Sequence, residues 1–279
     1  MILFKRAGDL ISWLKHLTAS GKSIGFVPTM GALHSGHISL IAISKKETDY
    51  TVCSIFVNPT QFNDPNDYQK YPISLEKDIS LLEGAGVDIL FLPSVGELYP
   101  NGTTGLEHYD LGPLETLLEG KYRSGHFQGV CQVMHRLLSI VRPDHLFMGQ
   151  KDYQQCMVIQ RLLRLMYLPT QLHRCPIVRE ADGLAMSSRN QRLTPAQRAN
   201  ATAIYRALRL LGQKFRLAPA NALAEAEVIL EQAGFQTDYI SVADALTLEP
   251  VADPAVDTEL VALIAAFQGD VRLIDNMIM

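Results

Sequence analysis

Ile24-Gly25-Phe26-Val27-Pro28-Thr29-Met30-Gly31-Ala32-Leu33-His34-Ser35-Gly36-His37 places an apolar run directly before a glycine turn and a helical pattern. Residues 24–27 read as a buried strand bounded by Pro28 and Gly31. Leu33, Ile38, Leu40 and Ile41 recur at helical spacing and open a helix. That spacing puts His34 and His37 on one face of the helix. Gly36 between them removes a side chain where a ligand would approach the backbone. A strand, a glycine turn and the free N–H groups of a helix start form a site for anions, phosphate above all. Two imidazoles there add donors for charge developing on phosphorus. A metal pair and a purely structural role are the alternatives. The zinc motif with two histidines four apart carries a glutamate after the first, and none stands here.

Working outward, further strand-like runs fall at residues 51–57, 87–92, 145–148 and 171–178, with helical patterns at 38–46, 75–84, 130–141 and 153–167. This alternation predicts an α/β fold, a doubly wound, mostly parallel sheet covered on both faces. The texture changes near residue 178. Thr194-Pro195 opens a long helix through Arg209, a second helix spans 220–233 and ends at Gly234, and strand-like pieces follow at 238–242, 260–267 and 271–274. The expected organisation is a nucleotide-binding domain over residues 1–178 and a smaller α+β domain over 179–279.

Composition narrows the function. The chain has 279 residues, 47% of them apolar, enough for a sizeable core. A net charge of −4 leaves no electrostatic footprint for nucleic acid or an anionic membrane. Cys53, Cys131, Cys156 and Cys175 form no Cys-x-x-Cys pair, so reduced thiols in a cytoplasmic protein are expected. Met1-Ile2-Leu3-Phe4 gives way at once to Lys5, Arg6 and Asp9, which is no signal-peptide core, and the apolar run 260–267 is too short to span a bilayer.

Four other stretches carry chemistry. Phe56-Val57-Asn58-Pro59-Thr60-Gln61-Phe62 follows the second strand, and the Asn58 and Gln61 amides suit a substrate with hydroxyls and a carboxylate, unless they merely build an Asn-Pro turn. Gly149-Gln150-Lys151-Asp152-Tyr153-Gln154-Gln155 repeats the strand–glycine–helix pattern with a lysine for phosphate and an aspartate for a ribose hydroxyl or a helix cap. Met186-Ser187-Ser188-Arg189, at the expected domain junction, supplies hydroxyls and a guanidinium for a triphosphate, or is a solvated loop. Residues 120–130, with three glycines, Arg123 and His126, read as a mobile loop near the site or a surface turn. Gly21-Lys22-Ser23 is no P-loop, because it precedes its strand and His16 stands where the first glycine would be.

In order and spacing these segments, together with Arg272-Leu273-Ile274-Asp275-Asn276, resemble the pantoate–β-alanine ligase family of the His-x-Gly-His nucleotidyltransferase superfamily. The resemblance implies a Rossmann-like first domain and a cytoplasmic homodimer. It implies that pantoate attacks ATP to give pantoyl adenylate, usually with Mg²⁺, and that β-alanine then displaces AMP. Carried onto matching positions, it implies catalytic roles for His34, His37, Lys151, Ser187, Ser188 and Arg189. ATP would lie against Met30, Gly31, Ala32, Leu33, His34, Ser35, Gly36, His37, Gly149, Gln150, Lys151, Asp152, Val178, Met186, Ser187, Ser188 and Arg189, and pantoate against Gln61 and Gln155. The metal ligands stay open, with Asp78 one acidic candidate. Two departures are Ser124, where the family carries proline, and Met148, where it carries an aromatic residue. Neither removes a chemical group.

Overall fold

A computed structural model describes residues 1–63, 68–255 and 258–279. Six strands form one parallel sheet: β1 (Ile2–Phe4), β2 (Ile24–Thr29), β3 (Tyr50–Ile55), β4 (Ile89–Phe91), β5 (His145–Gly149) and β6 (Gln171–Cys175), in the order β1-β4-β3-β2-β5-β6. Every pairing in it is parallel. Alternating residues along β2 explain why both faces need cover. Phe26 points into a core with the helices Ala7–Ala19, His126–Val141 and Tyr153–Leu165. Val27 points into another with Ser35–Glu47 and Leu75–Gly84. The chain runs outward from β2 to β3 and β4, then returns to place β5 on the other side of β2. The strand order therefore reverses between β2 and β5, and ligands of such sheets settle outside the carboxyl ends of the strands at that point.

A second sheet is antiparallel: β7 (Gln236–Asp244), β8 (Leu260–Gln268) and β9 (Val271–Ile278). It packs with the helices Ala203–Lys214 and Pro219–Gln232 around its own core. The expected α/β sheet plus a small α+β unit is thus present. A separate apolar seam joins Leu118 and Tyr153 of the first part to Ala243, Leu248, Val261 and Leu263 of the second.

Several boundaries differ from the sequence expectation for identifiable reasons. The expected helix 195–209 is two, Pro195–Asn200 and Ala203–Lys214. The Thr202 hydroxyl donates back to the Ala199 carbonyl and the chain tightens into an i→i+3 turn there. β6 stops at Cys175 because Pro176 has no N–H to donate to a ladder. The glycine-rich stretch 120–130 is no loop: it ends the helix Leu118–Tyr122 and begins His126–Val141, with Gly125 in the left-handed region between them. β1 and the helix Ala7–Ala19 lie outside the sequence expectation, since three residues carry too little pattern to read as a strand.

Candidate active site

The turn after β2 is built by a carboxylate rather than by glycine alone. Asp78, buried on the helix Leu75–Gly84, accepts from the N–H groups of Ala32 (2.9 Å) and Leu33 (2.8 Å), and the Ser74 hydroxyl donates to it at 3.1 Å. It thereby holds Ala32 at φ +48, a conformation that costs a non-glycine residue on the order of 1 kcal/mol. Asp78 thus braces the turn and is not among the residues lining the cavity described below.

His34 is not on the helix. It is the extended N-cap residue of Ser35–Glu47, and its Nδ1 accepts from the Gly36 N–H at 3.1 Å. His37, in the first turn, accepts from the His34 N–H through its own Nδ1 at 3.3 Å. The two histidines thus form a reciprocal capping box, with ring centroids 4.1 Å apart. Gly36 serves this arrangement, because a Cβ there would come within 2.8 Å of the His34 ring. Each ring uses Nδ1 as an acceptor, so the proton of the neutral imidazole sits on Nε2. Burial, with the Lys151 charge adding to it, pushes His34 down to about 4. Burial, then His34 and Lys151, pushes His37 down to about 3. Both therefore act as neutral N–H donors near neutral pH.

These depressed pKa values bear on stability. They lie below the ordinary 6.5, so the unfolded chain binds protons that the folded one refuses. The contribution is complete above about pH 6.5 and is lost as pH falls through about 4 and 3. Denaturant titration between pH 7 and 4 is expected to show falling stability, and a less steep fall in a His34→Ala, His37→Ala double variant.

At the end of β5, Gly149 leads into a short turn and the helix Tyr153–Leu165. The carbonyls of Gln150 and Lys151 are both held by the Asn276 side-chain amide at 2.9 Å, and Gln150 Nε2 returns a bond to Asn276 Oδ1 at 3.2 Å. Asn276 is buried on β9, so the second sheet shapes the lysine turn. Lys151 Nζ lies 3.7 Å from Asp152 Oδ1. The Asp152 side chain does not cap the helix, which removes that structural explanation for it.

After β3, Asn58 is a scaffold. Its amide donates to the Gly129 carbonyl (3.1 Å) and to Gln61 Oε1 (3.2 Å), and its oxygen accepts from the Tyr99 hydroxyl (2.8 Å). Gln61 Nε2, by contrast, rests on the Met30 sulfur at 3.0 Å, a weak acceptor that a ligand oxygen displaces readily. His126 donates from Nδ1 to the Gln61 carbonyl at 2.8 Å and accepts from Arg123 Nη1 at 3.1 Å. Burial pushes His126 down to about 3, the Arg123 charge adding to it.

The loop after β6 is anchored, not solvated. Arg179 grips the buried Asp275 through two bonds of 2.6 and 3.1 Å and lies over the Tyr205 ring. Gly183 has φ +95, and a Cβ there would strike that same ring. Met186 N–H bonds the Val178 carbonyl. The buried Ser188 hydroxyl donates to the Ala32 carbonyl at 3.0 Å, tying the loop to the histidine turn. Ser188 gives its proton to that carbonyl, while Ser187 caps the following short turn with its oxygen and keeps its own proton.

One cavity of about 250 Å³ unites these segments. Met30, His34, Gly36, His37 and Gln61 line it, as do Gly149, Lys151, Asp152, Gln155 and Val178, and the run Met186, Ser187, Ser188 and Arg189 closes it. Gly31, Ala32 and Leu33 lie buried behind the turn, Ser35 faces solvent, and Gln150 is turned to Asn276. No motif points to Glu119 and Tyr239, which also line the cavity, or singles out the role of Arg272 behind them. Arg272 forks onto both Glu119 oxygens at 2.8 Å, its Nε reaches Asp238 at 2.7 Å, and the Tyr239 hydroxyl adds a bond to Glu119 at 2.8 Å. Burial pushes the Glu119 carboxyl up, but the Arg272 bonds and charge outweigh it and hold it down at about 2.

No group of three metal-ligating side chains is present among the described residues. Glu119 and Asp275 face the cavity but are each committed to an arginine. Among the described residues the half-exposed Asp152 is the remaining carboxylate on the cavity lining, a donor set that fits Mg²⁺ only as an ion carried in by phosphate oxygens.

A parallel sheet that reverses between β2 and β5, with a helix N-terminus, two imidazole donors and a lysine at the reversal, defines an α/β protein of the Rossmann-like, phosphate-handling class. A family model described as pantoate-beta-alanine ligase matches residues 2–278, and the chain belongs to that family. It is 43% identical over 274 residues to the pantothenate synthetase of Bacteroides thetaiotaomicron, covering 96% of this chain and 95% of the relative. It is 44% identical over 276 residues to that of Pseudomonas paraeruginosa, covering 98% and 97%. The crystal structure of pantothenate synthetase from Thermus thermophilus superposes with a TM-score of 0.90 at 40% identity over 99% of each chain. That of the Francisella tularensis pantoate-beta-alanine ligase, complexed with beta-gamma ATP and beta-alanine, gives 0.84 at 38% identity over 100% of this chain and 97% of that one.

Proposed function

We propose that this chain condenses pantoate with β-alanine in two steps, using ATP and forming pantoyl adenylate. The observation that carries the reading is the convergence of two Nε2–H imidazoles, Lys151, Ser187 and Arg189, together with Gln61 and Gln155, on one cavity. In the first step a pantoate carboxylate oxygen attacks the α-phosphorus and the bond to pyrophosphate breaks. In the second the neutral amine of β-alanine attacks the acyl carbon, AMP leaves, and the amine proton passes to solvent.

A carboxylate needs no enzyme nucleophile for this, and the cysteines offer none. All four cysteines are buried, and burial pushes the thiols of Cys53 and Cys131 up to about 12 and that of Cys175 to about 11. What the chain supplies is charge and position. The imidazole donors, the lysine and the guanidinium offset charge growing on the phosphates, and preorganised donors of this kind need no reorientation as it develops. Asp152 at the strand end suits the ribose hydroxyls, with Mg²⁺ neutralising phosphate charge when bound. Gln61 and Gln155 take the pantoate oxygens, and the neighbouring apolar wall of Val130, Val133 and Met134 suits its two methyl groups.

Residues 1–178 then act as the nucleotide-binding domain and 179–279 as the unit that brings Ser187 and Arg189 onto the phosphates and excludes water from the adenylate. Homodimerisation and a cytoplasmic location belong to the same reading. Among the described residues no helix is long and apolar enough to cross a membrane.

Purified protein is expected to release pyrophosphate only when pantoate is present, and AMP when β-alanine is added. Gln61→Ala and Gln155→Ala are each expected to raise the KM for pantoate about tenfold or more, the loss of a hydrogen bond to a charged ligand, with ATP affinity unchanged. Pyrophosphate release without AMP would mark a transferase that leaves the nucleotide on its product. Loss of ATP binding with pantoate binding kept would reverse the two pockets.

A further inference from the structure

We propose that Arg272, which does not line the main cavity, is a positioning residue for Gln61, so that the antiparallel sheet tunes hydroxy-acid binding from behind. The link is a continuous run of polar contacts. Arg272 on β9 forks onto both oxygens of Glu119 at 2.8 Å. Glu119 Oε2 lies 3.7 Å from Arg123 Nη1, one helical turn further on. The same Nη1 bonds His126 Nε2 at 3.1 Å, and His126 Nδ1 donates to the Gln61 carbonyl at 2.8 Å.

Two features make this a constraint rather than a chance string. A carbonyl only accepts, so Nδ1 of His126 carries the proton and Nε2 must accept from Arg123, which leaves one tautomer and one ring orientation. Glu119 has few ways to move, because Tyr239 holds Oε1 at 2.8 Å and its N–H is taken by Gln154 Oε1 at 3.0 Å. Arg272 is fixed from the other side by Asp238 at 2.7 Å. A shift of the fork therefore moves Arg123, then the imidazole, then the backbone of Gln61. The lysine turn and the histidine cap, where phosphate is expected, are braced separately by Asn276 and Asp78.

The inference rests on the reading that Gln61 holds pantoate, and the test separates the two. Arg272→Lys keeps the charge but loses the two-pronged geometry, and Glu119→Gln keeps side-chain volume while weakening the same contact from its other end. In the full-length protein each is expected to weaken pantoate binding about tenfold by calorimetry, with ATP affinity changed less than about twofold. In a Gln61→Ala background, Arg272→Lys is expected to add little further loss, whereas distant independent sites would add in full. Additive losses, or pantoate and ATP affinities falling together with melting temperature, would assign Arg272 to fold stability alone and overturn the proposal. If Gln61→Ala by itself leaves pantoate binding intact, the assignment of Gln61 has failed instead.

Discussion

Replacing His37 by alanine is expected to slow pantoate-dependent pyrophosphate release by on the order of 10²-fold, and replacing His34 as well to slow it further, with the chain still folded. The size follows from what the rings supply. Each presents one Nε2–H at the helix start, in a buried site where a donor is worth more than in water. Because both Nδ1 atoms also cap the helix, the variants lose some stability, about 1 kcal/mol for a lost cap. Single-turnover pyrophosphate release, read beside a denaturation curve, separates the two losses. Wild-type turnover by the double variant would remove the histidines from the chemistry. His34→Asn retains a capping oxygen without the ring, so it should recover the stability and not the rate.

Gly129→Ala is expected to damage both folding and pantoate binding without touching a reactive group. A Cβ at this position would stand 2.1 Å from the Thr60 carbonyl oxygen and 2.8 Å from Gln61 Cα. Both are backbone atoms, so no rotamer change relieves the clash. The turn carrying Gln61 must move off the helix His126–Val141 and break the Asn58 bond to the Gly129 carbonyl. Overpacking of this kind costs about 1–3 kcal/mol, and the displaced amide should raise the KM for pantoate about tenfold. Thermal melting and a KM measurement for each substrate check it, and an unchanged pantoate KM would show that the turn tolerates displacement.

The parts of this protein that are legible in its sequence are those whose signal is local. The apolar run, glycine turn and paired histidines of residues 24–37 lie within one strand–turn–helix unit, and so do Gly149 to Gln155. The alternation of strands and helices is likewise a short-range pattern, and it yields the parallel sheet with errors mainly at element ends. What stays hidden is held by partners far apart in sequence. Glu119 and Arg272 meet across 153 positions and Gln150 and Asn276 across 126, so neither pair has a motif. Asp275 and Asn276 interrupt the apolar pattern of β9, which is why the pattern ends that strand at 274 while the strand itself runs to Ile278. Asp78 and Ser188 also carry contacts that no motif shows: Asp78 accepts from the N–H groups of Ala32 and Leu33, and the Ser188 hydroxyl donates to the Ala32 carbonyl.

The burial of Cys53, Cys131, Cys156 and Cys175 has a meaning beyond the absence of a nucleophile. Oxidants and alkylating agents act on thiolates, and act on those they can reach. In the folded protein none of these sulfurs is exposed, and each is held in its protonated form by its apolar surroundings. A shift in the glutathione couple thus finds no thiol handle on the native state. A thiol reagent meets these side chains only when the sheet opens, which makes their labelling a clock for unfolding.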